Sequence, residues 1–302
     1  MNNPKITITV AIPAYNEELN IRQIVESVMA QRGDNFRLEK VHLISDKSSD
    51  RTQDIIQELS AKYPLIHAQH NDKRIGKINT MNQMIQQNAS EVILFFDADI
   101  KLSNNFVLDN IAQTFVETGA ELVGGRDKPF EPHGFFGTIC YTWIEIWDEA
   151  KSDPRNTTDL HKLSARIMAL RKNFADSFVI PESAVVDDQY VYLKAKEQNR
   201  KIHFSEKALV YYKLPTNLHD YLIQTSRYIR WNTSVVKQFS PEMTKCYAIS
   251  QNAKSSALFH SFSKNPIFTL LSIGLQVIVR ISKRWIIEEH ESGTWIMITS
   301  TK

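Results

Sequence analysis

Val92-Ile93-Leu94-Phe95-Phe96-Asp97-Ala98-Asp99 is the stretch that decides the fold. Its apolar run, mostly β-branched or aromatic, reads as a strand buried on both faces, the kind found at the centre of a parallel sheet. The run ends abruptly in two carboxylates with one spacer. In open α/β sheets ligands sit outside the carboxyl ends of the strands, so a polar cluster there marks a place to look for chemistry. Two carboxylates at that rim suit a hard divalent cation that in turn grips a diphosphate. A bare D-x-D is equally a way to cap the next helix, and its meaning depends on what surrounds it.

Toward the N-terminus, short β-branched runs alternate with helical patterns, the signature of βαβ units and a mainly parallel, Rossmann-like sheet flanked by helices. Ile6 to Ile12 predicts a first strand, after which Asn16 can cap a segment whose apolar stripe runs through Leu19, Ile21, Ile24, Val25, Val28 and Met29. Val41 to Ser45 predicts a second strand. Asp50-Arg51-Thr52-Gln53 has the form of a capping box opening a helix that Pro64 ends. Leu65 to Gln69 predicts a strand, Ile75 to Gln87 a helix, and Glu91 to Phe96 the central strand.

Downstream, Glu121 to Gly125 predicts a strand and Phe135 to Trp147 a helix that buries its aromatic residues. Residues 151 to 159 form a polar loop, a candidate lid flanked by Arg155 and Lys162. Strands are expected at Arg166 to Leu170, Ser183 to Val186, Lys201 to Phe204 and Ala208 to Tyr212, with a helix from Asp188 to Glu197. Gly124-Gly125-Arg126 could line a pocket or form a tight turn.

Polar clusters follow the other early strands too: Pro13-Ala14-Tyr15-Asn16-Glu17-Glu18, Ser45-Asp46-Lys47-Ser48-Ser49-Asp50, and Lys73-Arg74-Ile75-Gly76-Lys77. In this order, with Asp97-Ala98-Asp99, they resemble the P-A-Y-N-E, D-D-G-S-x-D-x-T, G-K-x-x-A-x-N and D-x-D pattern of the family 2 glycosyltransferases, across residues 6 to 110. The resemblance implies a GT-A fold and inverting transfer of a sugar from a nucleotide diphosphate donor, with UDP the first choice. It also implies a role for each residue. Pro13 and Tyr15 would contact the donor base, Tyr15 by stacking, and Asp46 would accept a hydrogen bond from the base. Glu17 would sit near the ribose or phosphates, Lys77 by the diphosphate, Asp97 at the ribose or on the metal through water, and Asp99 as a direct ligand of Mn2+ or Mg2+. One position departs from the pattern, Ser45 standing where the first Asp of the D-D pair is usual.

Inverting transfer needs a base on the face opposite the leaving diphosphate. Asp187-Asp188-Gln189-Tyr190-Val191 resembles the family's E-D-x-x-L segment, which puts Asp188 at the base position and Asp187 beside it on the acceptor side. A helix N-terminus would lower the pKa of Asp188, so burial must offset that for it to work as a base. Further on, Gln224-Thr225-Ser226-Arg227-Tyr228-Ile229-Arg230-Trp231 resembles the Q-x-x-R-W segment of membrane-associated polysaccharide synthases. There Arg227 and Arg230 would hold the departing diphosphate, while Gln224, Tyr228 and Trp231 would meet the acceptor sugar.

The 302 residues carry 36 Lys and Arg against 34 Asp and Glu, a net charge of +2 that argues against coating nucleic acid. Cys140 and Cys246 lack metal-ligand spacing and form no framework, so a cytoplasmic setting is expected. The N-terminus lacks the pattern of a signal peptide. The apolar run Ile267 to Val279 is too short to span a bilayer, but Arg280, Lys283, Arg284 and Trp285 after it suit contact with anionic headgroups, so a peripheral contact with the inner face of the membrane through 262–285 is expected. The division expected is a transferase domain at 1–232, with a nucleotide-sugar half at 1–110 and an acceptor half at 111–232, followed by a helical extension at 233–302. The acceptor would be a saccharide or a lipid-linked one. The competing readings are a nucleotidyltransferase, which usually carries a Gly-rich phosphate loop that strand one lacks, and a non-catalytic sugar-nucleotide binder, which needs no base at Asp188.

Overall fold

The computed structural model describes residues 5–156, 159–184, 186–225, 239–240, 243, 249–288 and 301, with side chains through 282 in the last helix. Its first half is built as the apolar runs dictate. Strands β1 (Ile6–Ala14), β2 (Phe36–Ser45), β3 (Ile66–His70) and β4 (Val92–Phe96) are parallel neighbours, joined by helices α1 (Ile21–Met29), α2 (Thr52–Lys62) and α3 (Gly76–Gln86). β4 is buried at all five positions, as its unbroken run requires.

The second half is mixed. A short strand β5 (Ile100–Leu102) and helix α4 (Val107–Thr118) precede β6 (Leu122–Pro129), and then come α5 (Gly134–Ser152), β7 (Ile167–Arg171), α6 (Lys172–Ala175), α7 (Asp187–Glu197) and β8 (Ile202–Tyr212). The eight strands lie in the order β3-β2-β1-β4-β7-β6-β8-β5. β7 is antiparallel to both β4 and β6, and β5 to β8, while β6 and β8 are parallel. Residues 218–225 form the described part of α8, and α9 (Gln251–Lys264) and α10 (Pro266–Glu288) pack on α5.

Several local expectations are corrected. Asn16 does not cap α1, which starts after Asn20; with φ of 53° its Oδ1 turns to accept the Ser49 N–H at 2.8 Å. The 50–53 box is one-sided, Asp50 Oδ1 accepting both the Thr52 N–H and its hydroxyl. Ser183 to Val186 is not a strand: its described residues are turn and loop, closed by the Ala184 N–H to Pro181 O bond. The two strands expected at 201–204 and 208–212 are one, β8, carried across a register shift opposite Gly125 and Arg126. Gly124 and Gly125 lie inside β6 and form no turn. A Cβ on Gly125 would come 2.4 Å from Ile167 Cδ1 and 2.7 Å from the Ala208 carbonyl, so close strand packing demands the glycine.

Candidate active site at the rim of the sheet

The carboxyl ends of β1, β2 and β4, the start of α3 and the start of α7 converge on one cavity of about 700 Å3. Pro13, Tyr15, Glu17, Asp46, Lys77, Asp97, Asp99, Asp187, Asp188 and Gln224 all line it. The sequence expectation thus brings to one place every candidate that the structure describes. Arg227, Tyr228, Arg230 and Trp231 lie outside the described residues.

The loops at this rim are tied to each other by side chains. Glu17 N–H donates to Thr52 Oγ1 at 2.7 Å, Glu18 N–H to Asp50 Oδ2, and Asn16 N–H to Ser48 Oγ. Ser45, at the unusual position, is fully buried and bonds Ser48 Oγ at 3.0 Å, so its hydroxyl serves the loop. Asp46 is buried and accepts from Ile75 N–H and Asn71 Nδ2 on one oxygen and from Gly76 N–H at 2.7 Å on the other. It therefore clamps the entry of α3 as well as facing the cavity. Tyr15 carries the Arg74 guanidinium over its ring, 3.8 Å from the centroid, a contact absent from the sequence expectation.

Lys77 projects from α3 between two carboxylates, 2.7 Å from Asp97 Oδ1 and 3.1 Å from Asp187 Oδ2. Burial alone would depress its pKa, but the charges of Asp187 and Asp97 outweigh that and raise it. Asp187 is nearly inaccessible, at 1% exposure. Its close partner is this lysine. Asp99 is raised above the ordinary carboxylate range by burial and by the Asp97 charge, against the pull of Arg166 and Lys77.

Asp188 opens α7, its Oδ2 accepting the Ala165 N–H at 3.0 Å and its Oδ1 the Gln189 N–H at 2.7 Å. Those bonds favour the ionised form, yet burial and the neighbouring Asp187 charge win, and its pKa is pushed up to about 7. The offset that a base at a helix start requires is present.

The opposite wall was not foreseen. Arg166 pairs with Asp127 at 2.9 Å and stacks on Tyr212 at 3.7 Å, while Ser164 donates to the same carboxylate. Burial would raise Asp127, but the Arg166 guanidinium and Lys151 hold it below its usual range. Trp143, Trp147 and Lys151 of α5 also line the cavity. Their spacing of four was visible in the sequence, but which face of the helix they shared with the site was not. Of the loop at 151–159, Asn156 is bonded to the Ala150 carbonyl and to Ser250 N–H, and Arg155 and Lys162 pair locally with Asp153 and Asp159 and are not among the residues that line the cavity.

A divalent cation fits the donor set. Among the described residues no cluster of three or more ligating side chains occurs. Asp97 and Asp99 would thus supply one or two oxygens, the arrangement Mg2+ adopts when substrate phosphates complete its shell.

Comparison with known proteins agrees with this geometry. The family model described as Glycosyl transferase family 2 matches residues 9–178. A probable glycosyltransferase of Bacillus subtilis, YdaM, is 24% identical over 249 residues, 79% of this chain and 58% of its own length. The chain spans less than two thirds of each curated relative it matches. Among solved structures, the mannosyltransferase PcManGT from Pyrobaculum calidifontis, in complex with GDP-Man and Mn2+, superposes with a TM-score of 0.68 at 14% identity, covering 94% of this chain and 88% of that one. TarS 1-349 of S. aureus in complex with UDP-GlcNAc gives 0.55 at 16% identity, covering 93% and 92%. These likenesses show the GT-A fold.

Proposed function

This chain belongs to glycosyl transferase family 2, and from that premise we propose that it is an inverting, metal-dependent glycosyltransferase. It takes a sugar from a UDP-sugar and passes it to a saccharide or lipid-linked acceptor. The observation that carries this reading is Asp188: a buried carboxylate with a pKa of about 7, in the same cavity as Tyr15, Lys77, Asp97 and Asp99. The acceptor hydroxyl oxygen attacks the anomeric carbon and gives its proton to Asp188, while the bond to the diphosphate breaks and its electron pair leaves with UDP. A base poised near neutrality suits that proton transfer. Lys77, held charged by two carboxylates, faces the diphosphate, and Tyr15 stacks on the base. Asp99, with Asp97, would hold Mn2+ or Mg2+, which supplies charge neutralisation to the leaving diphosphate. Arg227 and Arg230 would assist that departure, and Gln224, Tyr228 and Trp231 would meet the acceptor. A nucleotidyltransferase usually carries a Gly-rich phosphate loop, whereas β1 here runs into Tyr15-Asn16-Glu17-Glu18, and a mere binder needs no base at Asp188.

Peripheral contact with the inner face of the membrane belongs to the same reading, with 1–232 as the transferase domain and 233–302 as its extension. Support comes from α10, which leaves much of its apolar surface exposed. It turns Thr269 and Ser272 inward with Leu275 and Val279, and exposes Ile267, Leu270, Ile273, Val277, Ile278 and Ile281. Phe259 and Phe262 of α9 are also exposed, with Lys264 and Arg280 as exposed cations. Among the described residues no helix is long and apolar enough to cross a membrane, so an in-plane contact is the form this takes.

The direct test is calorimetric titration of UDP and GDP with and without Mn2+, followed by hydrolysis of UDP- and GDP-sugars. Expected is Mn2+-dependent UDP binding that Asp99→Ala abolishes. Unchanged UDP affinity in that variant would overturn the metal role, and a preference for GDP the choice of nucleotide.

A further inference from the structure

The cavity does not end at the carboxylates. Beyond them it is walled by α5, where Trp143, Trp147 and Lys151 recur every fourth residue and so share one helix face. Both indoles are only partly buried: one side packs with Ile249, Ala253 and Ala257 of the C-terminal region, and both line the open space. His161 meets Trp147 edge-on at 5.5 Å from the short turn Leu160–Lys162. That turn packs against both α5 and α7, so it links the tryptophan wall to the helix that carries Asp188. Polar groups line the same cavity as the indoles: Asp148 with its partner Lys151 at 2.7 Å, and Lys254 of α9.

We propose that this wall is an acceptor subsite for a pyranose ring, which stacks its C–H face on Trp143 and Trp147 and directs its hydroxyls to Asp148, Lys151 and Lys254. The chemistry argues for a sugar over a hydrocarbon chain. Large flat apolar faces set beside a carboxylate and ammonium groups match a ring with one apolar face and a polar rim. An isoprenoid would leave those charges facing hydrocarbon without compensation. The alternating signs of Asp148, Lys151, Asp127 and Arg166 also favour a neutral, hydroxylated ligand over a strongly anionic one. The inference rests on the glycosyltransferase reading and adds where the acceptor sits.

The test uses the full chain with UDP and Mn2+ and a fixed panel of probes: methyl β-glucoside, methyl β-galactoside, methyl α-mannoside, N,N′-diacetylchitobiose and farnesyl phosphate. Saturation-transfer NMR and tryptophan fluorescence report on the panel, and calorimetry reports on UDP. Expected is saturation of one face of a saccharide, with its affinity reduced about tenfold or more in Trp147→Ala and restored by Trp147→Phe, while UDP affinity is the same in all three proteins. Lys254→Ala, an exchange at a partly exposed position, should weaken the same saccharide without moving UDP. No saccharide signal in a protein that still binds UDP would overturn the subsite. So would a signal indifferent to both variants, or quenching by farnesyl phosphate alone. Failure of the parent to bind any nucleotide would overturn the donor reading and the subsite with it.

Discussion

The rim of the parallel half and the wall formed by α5 and the C-terminal helices enclose one cavity but are built differently. At the rim, side chains of one loop bond the backbone of the next: Asn16 to Ser49, Thr52 to Glu17, Asp46 to Ile75 and Gly76. Such a network holds its shape before any ligand arrives. The wall rests on two small apolar clusters, one around Cys140, Tyr221 and Leu275 and one around Ile146, Ile249 and Ala257. Among the described residues its polar ties include Gln276 to the Tyr221 hydroxyl and His260 to Glu149. The proposed donor side is thus a cradle of side-chain-to-backbone bonds, and the proposed acceptor side an apolar wall packed from separate elements.

Asp188 stands where the two regions meet, and changing it should have the largest effect. Asp188→Asn is expected to lower transfer by about 10^3-fold, the usual scale of a lost general base, with UDP affinity retained. A loss confined to UDP binding would move Asp188 to the donor side. In the parent, kcat/KM should rise with pH through about 7, because only the deprotonated carboxylate can take the acceptor proton. Stability should move the other way. The folded protein holds the Asp188 proton more tightly than the unfolded chain, so stability falls as pH rises from about 4 to about 7. Asp188→Asn should flatten that fall and melt above the parent at pH 8.

Lys77 is the next strongest lever, since it joins β4 of the donor half to α7 of the other through Asp97 and Asp187. Lys77→Met would leave Asp187 buried and unpaired, and should cost about 3–5 kcal/mol of stability. Denaturant unfolding measures this, and a cost below about 1 kcal/mol would mean that the two regions are not coupled through this ion pair.

The smallest effect probes the rim alone. Lys47 sits at φ 59° in the loop after β2, a conformation that favours glycine. Lys47→Gly should stabilise the protein by about 1 kcal/mol, read as a higher denaturant midpoint, with donor affinity unchanged. Destabilisation would show that the lysine side chain supports the cradle in a way its backbone geometry does not reveal.

How much was legible follows the same division. The rim residues were readable because each lies in the few residues after a strand whose own sequence announces it, so strand order alone brings Tyr15, Asp46 and Asp97 to one cavity. The acceptor wall was not readable, because Asp127, Trp143, Arg166 and Lys254 come from separate elements whose adjacency depends on β7 inserting antiparallel between β4 and β6. Gly124 and Gly125 misled for a related reason: their lack of side chains answers to Ile167, Leu163 and Phe204 on neighbouring segments, and not to a turn.

The sequence by itself determined the buried central strand, the parallel order at the N-terminal side and the acidic pair at its rim, since each follows from local pattern. Tertiary structure decided which face of α5 meets the cavity, that α10 turns Thr269 and Ser272 inward beside Leu275 and Val279 while leaving much of its apolar surface exposed, and that burial and the Asp187 charge push the Asp188 carboxyl up to about 7 despite its place in the first turn of a helix. Those outcomes depend on which groups surround a residue from distant parts of the chain, and burial and opposing charge act through space, not along the sequence.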